Sequence, residues 1–539
     1  TVCEFNSNSL HGIPLISLIL TYFTYWNNIN FSNIVEDMKT RIERFFYKQA
    51  KKHWRFMRNL IYNRILLYIL LILVQILAFS TIFIWGLKSL SIYLGGSFVL
   101  TTAFFIFLVN CPGKLEFKVT WLLPVVIAPF FGIVLYVIFH TNTGGRALKK
   151  TLHKTKKDSN PVLLENTKKL RAFEENNPIS DFSAYIRNVG SYPSYPESQI
   201  EYYPGGEFFV KDLIKELKKA KHFIFIEFFI ISADESWLEI VSILKEKAAQ
   251  GVEIRVLYDA VGSVFSATKA HQEFLKDAGI KSKIFLPLAP VFATHQNNRD
   301  HRKIVVIDGK VAFTGGVNIS SEYFNRVHKR FKYWKDTAVK IQGEAVKTFT
   351  TMFLQGWNIF SKETEDYAKY IGMTKSSPIQ KKENSKHNGV IIPYGDDAYN
   401  NEDIAENTYS YILSHAKKYV HITTPYVMID TVLMNELLFA AHRGVEVSVI
   451  VPSKPDHFIS FCIGKTFLKD LIDGGVKVFT YDEGFIHAKN FTGDDIMATV
   501  GSVNLDYRSF FHHFECGLFM YDCEIIKKIL GDLINLERG

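Results

Sequence analysis

The sequence predicts an α/β protein in which two similar repeats form one pseudo-twofold unit, preceded by N-terminal transmembrane helices. Three observations support this prediction. Three long uncharged runs lie near the N-terminus. From about Glu201 onward, short apolar runs alternate with charged helical stretches, which is typical of α/β domains. Within that region, several short segments recur in the same order, which indicates a duplicated unit.

The composition excludes several classes of protein. The chain has 539 residues, of which 47% are hydrophobic and 22% are charged, so it is neither disordered nor collagen-like. Its 63 Lys and Arg residues exceed its 54 Asp and Glu residues, and the net charge of +9 suits an anionic surface, either membrane or nucleic acid. The five cysteines are scattered and form neither a CxxC pair nor a disulfide framework, which argues against thiol chemistry and structural zinc.

The uncharged runs cover residues 65–87, 89–113 and 119–139. Each reaches the length of roughly 20 residues that crosses a bilayer core. Basic residues precede the first run and follow the third, so the positive-inside rule places both flanks in the cytoplasm. Three crossings conflict with that rule, so we expect that one run is re-entrant or fused to its neighbour, or that one flank departs from the rule. We expect the C-terminal region to be cytoplasmic.

The duplicated segments define the domain organisation. Residues 220–226, 251–256 and 279–281 resemble, in the same order, residues 416–422, 444–449 and 475–477. The predicted domains are an N-terminal segment of unassigned role (1–62), a transmembrane region (63–145), a basic linker (146–200), the first repeat (201–373), a linker (374–388) and the second repeat (389–539).

The last pair of similar segments carries the candidate chemistry. Measured from each histidine, both copies have Lys at +2, Asp at +7, Gly at +14 and Asn at +17. One such motif arises often by chance, whereas two copies with identical offsets are a strong signal. The resulting candidates are His301, Lys303, Asp308 and Asn318 in the first copy, and His487, Lys489, Asp494 and Asn504 in the second.

These residue types suit phosphodiester chemistry. Residues i and i+2 of a β-strand share a face, so each His and its Lys point together. Two imidazoles fit a nucleophile and a general acid, and two lysines fit the charge of a pentavalent transition state. No acidic cluster indicates a catalytic metal, so we expect neither metal nor cofactor. Asp308 and Asp494 fit a catalytic role and a loop-anchoring role equally well. For the unpaired His421, His457, His512 and His513, we favour structural roles.

The two motifs resemble the signature of the phospholipase D superfamily. Residues 298–303, 333–336, 352–355, 501–509 and 514–515 narrow the resemblance to bacterial cardiolipin synthases. The resemblance implies two phospholipase D-like repeats that form one pseudo-twofold catalytic unit. It also implies a phosphatidyltransferase that converts two phosphatidylglycerol molecules into cardiolipin and glycerol through a phosphohistidine intermediate.

The resemblance also implies residue roles. His301 is expected to be the nucleophile and His487 the acid/base, with the reverse assignment left open. Glu515 lies 21 residues after Asp494, where the superfamily has an acid that holds a catalytic His, and Asp336 is its expected counterpart. The expected catalytic residues are His301, Lys303, Asp308, His487, Lys489 and Asp494. Phosphate or substrate binding is expected from Lys303, Lys489, Asn318, Asn504, Ser502, Glu515 and Asp336.

Several expectations about context follow. The partners are phosphatidylglycerol, membrane lipid and an anionic membrane surface, without nucleic acid, and the oligomeric state is not predicted. The protein is expected to be a multi-pass protein of the inner membrane with a cytoplasmic catalytic region.

Four alternatives to cardiolipin synthesis remain. Two are phospholipid hydrolysis and phosphatidylserine synthesis on the same scaffold. The others are a nuclease, which the hydrophobic runs disfavour, and a non-catalytic membrane scaffold. Asn490–Gly493 is less apolar than Ile304–Ile307, so we expect a looser second motif strand.

Overall fold

The structure is a computed structural model. It describes Ser80 and residues 87–140, 143–164, 167–196, 199–287, 297–361, 365–371, 389–400 and 402–538. The predicted N-terminal segment 1–62, almost all of the predicted crossing 65–87 and the predicted linker 374–388 lie outside the described residues.

Three apolar helices begin the described chain: α1 (Leu87–Asn110), α2 (Leu115–Ile127) and α3 (Pro129–His140). The chain bends between α2 and α3 at Ala128, because a residue that precedes proline disfavours the helical conformation. Gly132 allows the close approach that follows, since a Cβ there would lie 2.5 Å from the backbone nitrogen of Val125. The predicted crossing at 119–139 is therefore two short helices. Among the described residues, no helix combines the length and apolarity that a membrane span requires, so the predicted crossings are not confirmed.

The basic segment 146–200 is folded against the repeats. It forms α4 (Thr143–Leu163), α5 (Thr167–Glu175), α6 (Ser180–Gly190) and β1 (Tyr195–Pro196). Leu148 and Leu152 of α4 are buried, and the amide of Gln355 donates a 2.8 Å hydrogen bond to the Ser159 hydroxyl. Amphipathic periodicity explains this packing, because one face of α4 is apolar while its lysines lie on the other face.

The first repeat is a seven-stranded mixed sheet with helices. Its strands are β2 (Ile200–Tyr203), β3 (Phe223–Phe228), β4 (Glu253–Asp259), β5 (Lys281–Phe285), β6 (Lys303–Ile307), β7 (Val311–Gly315) and β9 (Ala338–Gln342), in the order β2-β9-β7-β6-β3-β4-β5. The short strand β8 (Trp334–Lys335) lies outside that sheet. The helices are α7 (Gly206–Lys219), α8 (Glu235–Ala249), α9 (Lys269–Asp277), α10 (Val346–Ile359) and α11 (Tyr367–Ile371).

The second repeat has the same plan with one more strand. Its main strands are β10 (Val390–Asp396), β11 (Tyr419–Thr423), β13 (Glu446–Pro452), β14 (Lys477–Tyr481), β16 (Asn490–Gly493), β17 (Met497–Gly501) and β19 (Glu515–Tyr521). With β1 at one edge, their order is β1-β10-β19-β17-β16-β11-β13-β14. Short strands are β12 (Val427–Met428), β15 (Phe485–Ile486) and β18 (Leu505–Asp506). The helices are α12 (Ile404–His415), α13 (Thr431–His442), α14 (Phe458–Asp473), α15 (Tyr507–Phe511) and α16 (Ile526–Arg538).

The two sheets correspond strand by strand, which confirms the predicted duplication. In each, three parallel strands (β3-β4-β5 and β11-β13-β14) continue into an antiparallel hairpin (β6-β7 and β16-β17) that carries the motif. Residues of β6 and β16 are buried on both faces, because each sheet is covered on both sides.

The second motif strand, which was expected to be looser, is as fully buried as the first. Its polar Asn490 is fully paired: the backbone N–H donates to Thr423 Oγ1 (3.1 Å), the amide nitrogen to Tyr202 Oη (3.2 Å), and Oδ1 accepts from Thr337 (2.9 Å). Phe491 stacks on Tyr409 with ring centroids 4.2 Å apart. At Asn490, specific hydrogen bonds therefore take the place of the apolar packing of the first copy.

Candidate active site

The first motif histidine is held by a carboxylate from the second repeat. Asp300 and Phe514 form a parallel β-bridge, in which the His301 N–H donates to the Phe514 carbonyl at 2.9 Å. This pairing brings the two carboxylate oxygens of Glu515 to 2.9 and 3.0 Å from Nδ1 of His301. With a proton on Nδ1 donated to Glu515, the lone pair of His301 lies on Nε2, where a nucleophile needs it.

The second motif histidine has the reciprocal arrangement. Strand β15 pairs in parallel with β8 of the first repeat, and the His487 N–H donates to the Lys335 carbonyl at 2.7 Å. Asp336, which follows β8, places Oδ2 at 2.7 Å from Nδ1 of His487. Each repeat therefore supplies the carboxylate that contacts the motif histidine of the other, as expected for a pseudo-twofold unit.

The two motif lysines lie in one buried cationic cluster. Lys303 and Lys489 are each only 1% exposed, and their ammonium groups donate to the carbonyls of His301 and His487. Burial lowers the pKa of Lys303 to about 8 and that of Lys489 to about 7, where the positive charge of Lys303 also acts on Lys489. When they are protonated, two ammonium groups in one buried cluster can both contact a bound anion.

Burial also sets the protonation of the histidines. It lowers the pKa of His301 to about 3 despite the neighbouring Glu515, and it lowers the pKa of His487 well below the usual range. Burial would raise the pKa of Glu515, but His301 and His513 hold it well below the usual value, whereas burial raises the pKa of Asp336 to about 6. Both imidazoles are thus neutral at neutral pH, and Glu515 is ionised.

The motif glycine and serine differ for a steric reason. A Cβ at Gly316 would overlap Oδ1 of Asp336, so this position must be glycine. The equivalent Ser502 donates its hydroxyl hydrogen to Glu515 and accepts the Cys516 N–H at 3.0 Å. Ser502 therefore helps to hold the Glu515 carboxylate, and its expected substrate contact stays a prediction.

Both motif asparagines are buried. Asn318 is 1% exposed, and its carbonyl oxygen accepts the Ile230 N–H at 3.1 Å. Asn504 is 5% exposed, and its backbone N–H donates to the Ser509 hydroxyl at 3.1 Å. Each amide follows the motif hairpin of its own repeat, so the pair is related by the same internal symmetry as the histidines.

The motif aspartates lie away from the histidines, at the opposite ends of β6 and β16. Asp308 accepts the backbone N–H groups of residues 221, 222 and 223 at 2.7–2.9 Å. Asp494 accepts those of residues 417, 418 and 419 at 2.6–3.0 Å. Both have φ of 53°, in the left-handed region. Asp308 and Asp494 were expected among the catalytic residues, with loop anchoring as the equal alternative. Because backbone N–H groups occupy their carboxylate oxygens, their positions favour loop anchoring.

His513 is a site residue that sequence reasoning missed. It is 7% exposed, its ring centroid lies 5.2 Å from that of His301, and its Nδ1 lies 3.4 Å from Glu515. The available sequence signal was its position two residues before Glu515. Ligand atoms of His301, His513 and Glu515 lie within 4.8 Å of one another, close enough to contact one cation. The positive charges of Lys303 and Lys489 oppose a cation there and favour an anion.

Comparisons with known proteins identify a matching family, similar sequences and a similar fold. Residues 213–357 and 409–536 match the family described as cardiolipin synthase, PLD-like domain. A cardiolipin synthase of Geobacillus thermodenitrificans is 32% identical over 87% of this chain and 92% of its own length. One from Staphylococcus aureus is 33% identical over 77% of this chain and 84% of its own, and an uncharacterized protein of Streptococcus mutans is 39% identical over 79% and 91%. The crystal structure of phosphatidylserine synthase from Haemophilus influenzae shares the fold, with a TM-score of 0.50 and 18% identity over 67% of this chain and 91% of that one.

Proposed function

The chain belongs to the cardiolipin synthase family of phospholipase D-like proteins, and on that premise we propose a reaction in which His301 carries the phosphatidyl group between two phosphatidylglycerol molecules. The chain is a phosphatidyltransferase of the phospholipase D type, and cardiolipin synthesis is its function. The observation that supports the proposed mechanism is the reciprocal pairing of His301 with Glu515 and of His487 with Asp336 around two buried lysines.

In the first step, Nε2 of His301 attacks the phosphorus of one phosphatidylglycerol. A P–N bond forms, the P–O bond to the glycerol headgroup breaks, and His487 donates a proton to the departing oxygen. His487 is neutral in the free protein, but the negative charge of a bound phosphodiester raises its affinity for a proton.

In the second step, the headgroup hydroxyl of another phosphatidylglycerol attacks the phosphohistidine. His487 accepts the hydroxyl proton, a P–O bond forms and the P–N bond breaks, which regenerates His301. The two steps convert two phosphatidylglycerol molecules into one cardiolipin and one glycerol, without an oxidant or cofactor.

Lys303, Lys489, Asn318 and Asn504 are proposed to bind the non-bridging oxygens throughout both steps. Preorganised cations in a dry site stabilise the charge that develops in a pentavalent transition state more than they would in water. Glu515 stays ionised because its pKa is held well below the usual value, and an ionised partner stabilises the positive charge that His301 gains when it attacks phosphorus. This pairing supports His301 as the nucleophile.

We also propose attachment to the inner membrane with the catalytic region on the cytoplasmic side. Large apolar side chains on α1–α3 are exposed, among them Phe98, Ile127 and Phe130. The adjacent α4 exposes Lys149, Lys150, Lys154 and Lys157, which suit an anionic leaflet at roughly 1 kcal/mol per residue near the surface.

Incubation of the detergent-solubilised full chain with phosphatidylglycerol tests the function. We expect equal amounts of cardiolipin and glycerol, no turnover by His301→Ala, and wild-type turnover by the control His153→Ala, which changes an exposed histidine of α4. Phosphatidic acid as the main product would indicate hydrolysis, and the absence of any lipid product from the unmodified chain would refute the proposal.

A further inference from the structure

Helix α16 of the second repeat reaches across to the first repeat. It packs against the sheet of the second repeat, where Ile529 and Leu533 are buried. Lys528 and Asp532, which lie one turn apart on another face, both contact Tyr202 of β2. The Lys528 ammonium group donates to the Tyr202 carbonyl at 3.1 Å, and the Tyr202 hydroxyl donates to Oδ2 of Asp532 at 2.6 Å. This face of α16 therefore connects the two repeats.

Asp532 also holds a buried lysine of the first repeat. The ammonium group of Lys335 donates to Oδ1 and Oδ2 of Asp532 at 2.7 and 2.8 Å, and to the Pro204 carbonyl at 2.6 Å. The side chain of Lys335 is only 6% exposed, and that of Asp532 is 16% exposed. A buried ammonium group that loses its counter-charge is strongly unfavourable, so Asp532 fixes where the Lys335 side chain lies.

Lys335 belongs to the short strand that positions the second motif histidine. Its carbonyl accepts the His487 N–H at 2.7 Å, and the next residue, Asp336, places Oδ2 at 2.7 Å from Nδ1 of His487. Strand β8 has two residues and pairs with β15 outside the main sheet, and such a small two-stranded unit is marginal by itself. The ion pair with Asp532 therefore anchors a strand to which the main sheet gives no support.

A second chain of hydrogen bonds leads from Asp532 to the second motif strand. The Tyr202 hydroxyl that donates to Asp532 accepts the side-chain amide of Asn490 at 3.2 Å. Asn490 begins β16, three residues after His487, and its Oδ1 accepts the hydroxyl of Thr337 at 2.9 Å. The carboxylate of Asp532 is thus connected both to the segment around β8 and to the strand that follows His487.

We infer that Asp532 is a positioning residue, which holds β8 through Lys335 and thereby sets the position of the His487 imidazole. The inference rests on the proposed function for the role of His487 in protonating the departing glycerol. Without the charge of Asp532, Lys335 would move toward water, and the backbone that holds His487 would move with it. His487 would become a poorer general acid, whereas His301, held by Glu515, would attack phosphorus as before.

Asp532→Asn tests this role, because asparagine keeps the size of the side chain and removes its charge. The matched control is Asp212→Asn on α7. Asp212 likewise accepts a tyrosine hydroxyl, from Tyr203 at 2.6 Å, and pairs with a lysine, Lys340. Its side chain is 14% exposed, close to the value for Asp532. Lys340 lies in β9 of the main sheet and not in β8, so the control removes the same kinds of contact away from β8.

The first measurement is the rate of headgroup release in a single turnover by the detergent-solubilised full chain. Phosphatidylglycerol releases glycerol, which needs a proton in order to leave, and phosphatidyl-p-nitrophenol releases nitrophenolate, which needs none. Asp532→Asn should release glycerol about tenfold more slowly and nitrophenolate within about twofold of the unmodified rate. Asp212→Asn should change neither rate. The ratio of the two rates is independent of the fraction of protein that is folded.

The second measurement is hydrogen exchange followed by mass spectrometry, which needs no substrate. In Asp532→Asn, peptides that cover residues 333–337 and 485–488 should exchange about tenfold faster, because β8 and β15 pair with each other. In Asp212→Asn, these peptides should exchange as in the unmodified chain.

The outcomes separate this inference from the proposed function. Equal losses of both release rates in Asp532→Asn, or unchanged exchange at β8 and β15, would overturn the positioning role. Phosphatidic acid as the main product of the unmodified chain, or no lipid product, would refute the proposed function. Faster exchange in Asp532→Asn would then still support the anchor on β8, and unchanged exchange would still overturn it.

Discussion

Oδ2 of Asp336 lies 2.7 Å from Nδ1 of His487, although 151 residues separate them in the chain. The pair crosses from one repeat to the other, as does the pair of Glu515 with His301. Neither repeat therefore contains a complete site, because each histidine depends on the other repeat for the carboxylate that orients its ring.

Asp336→Asn should lower kcat about 10²-fold with little change in KM, because the amide cannot hold the ring of His487 as a carboxylate does. Steady-state turnover of phosphatidylglycerol measures the effect. The exposed Asp482→Asn is the control and should behave as wild type. Equal turnover by both variants would contradict the orienting role of Asp336.

His301→Ala should form no covalent phosphoenzyme, since it lacks the nucleophile, whereas His487→Ala should still form one from a lipid with a good leaving group. Intact-mass spectrometry after rapid acid quenching detects the adduct. An adduct on His487 in the His301→Ala protein would require the reverse assignment of the two histidines.

Asp308→Asn should lower stability more than catalysis, because its carboxylate accepts three backbone N–H groups. We expect the free energy of unfolding to fall by about 1–3 kcal/mol, with kcat retained within about threefold at low temperature. Asparagine tolerates the left-handed φ of 53°, so the change isolates the charge. Chemical denaturation and turnover, measured on the same sample, separate the two roles of Asp308. An inactive Asp308→Asn protein with wild-type stability would indicate a catalytic role.

Catalytic efficiency should fall as the pH rises through about 7 to 8. Burial lowers the pKa of Lys489 to about 7 and of Lys303 to about 8, and only the protonated ammonium attracts phosphate. The charge is complete below these values and is lost above them. A profile of kcat/KM against pH measures this decline. In Lys489→Arg the decline should begin at a higher pH, because arginine keeps its positive charge. A flat profile up to pH 10 would show that these lysines remain charged.

His513→Ala should lower kcat about tenfold at unchanged KM, because Glu515 loses a neighbour that helps to hold it against His301. His513→Asn, which can still donate to Glu515, should recover most of the activity. The control is His512→Ala, since the ring of His512 packs on Phe117 and not on His301. If the alanine and asparagine variants lose activity equally, the positioning role is wrong.

Residue spacing alone was sufficient to find the two histidines and two lysines of the site. The identical offsets revealed the duplication, and the period of a β-strand placed His301 with Lys303 and His487 with Lys489. Such local periodicities survive folding unchanged, so they can be read from a linear chain. The bend at Ala128 also has a local cause, the proline that follows it. It was not predicted, because hydropathy is uniform across residues 119–139 and indicated one continuous helix.

The partners of these residues depend on contacts between distant parts of the chain. Spacing could not assign Glu515 to His301 and Asp336 to His487, because the crossed pairing arises where strands of the two repeats meet. Nor could it separate the anchoring from the catalytic role of Asp308, since that depends on backbone N–H groups more than 80 residues away. The lowered pKa values of the buried histidines and lysines follow from the same packing, because removal of water is a property of the folded protein and not of its sequence pattern.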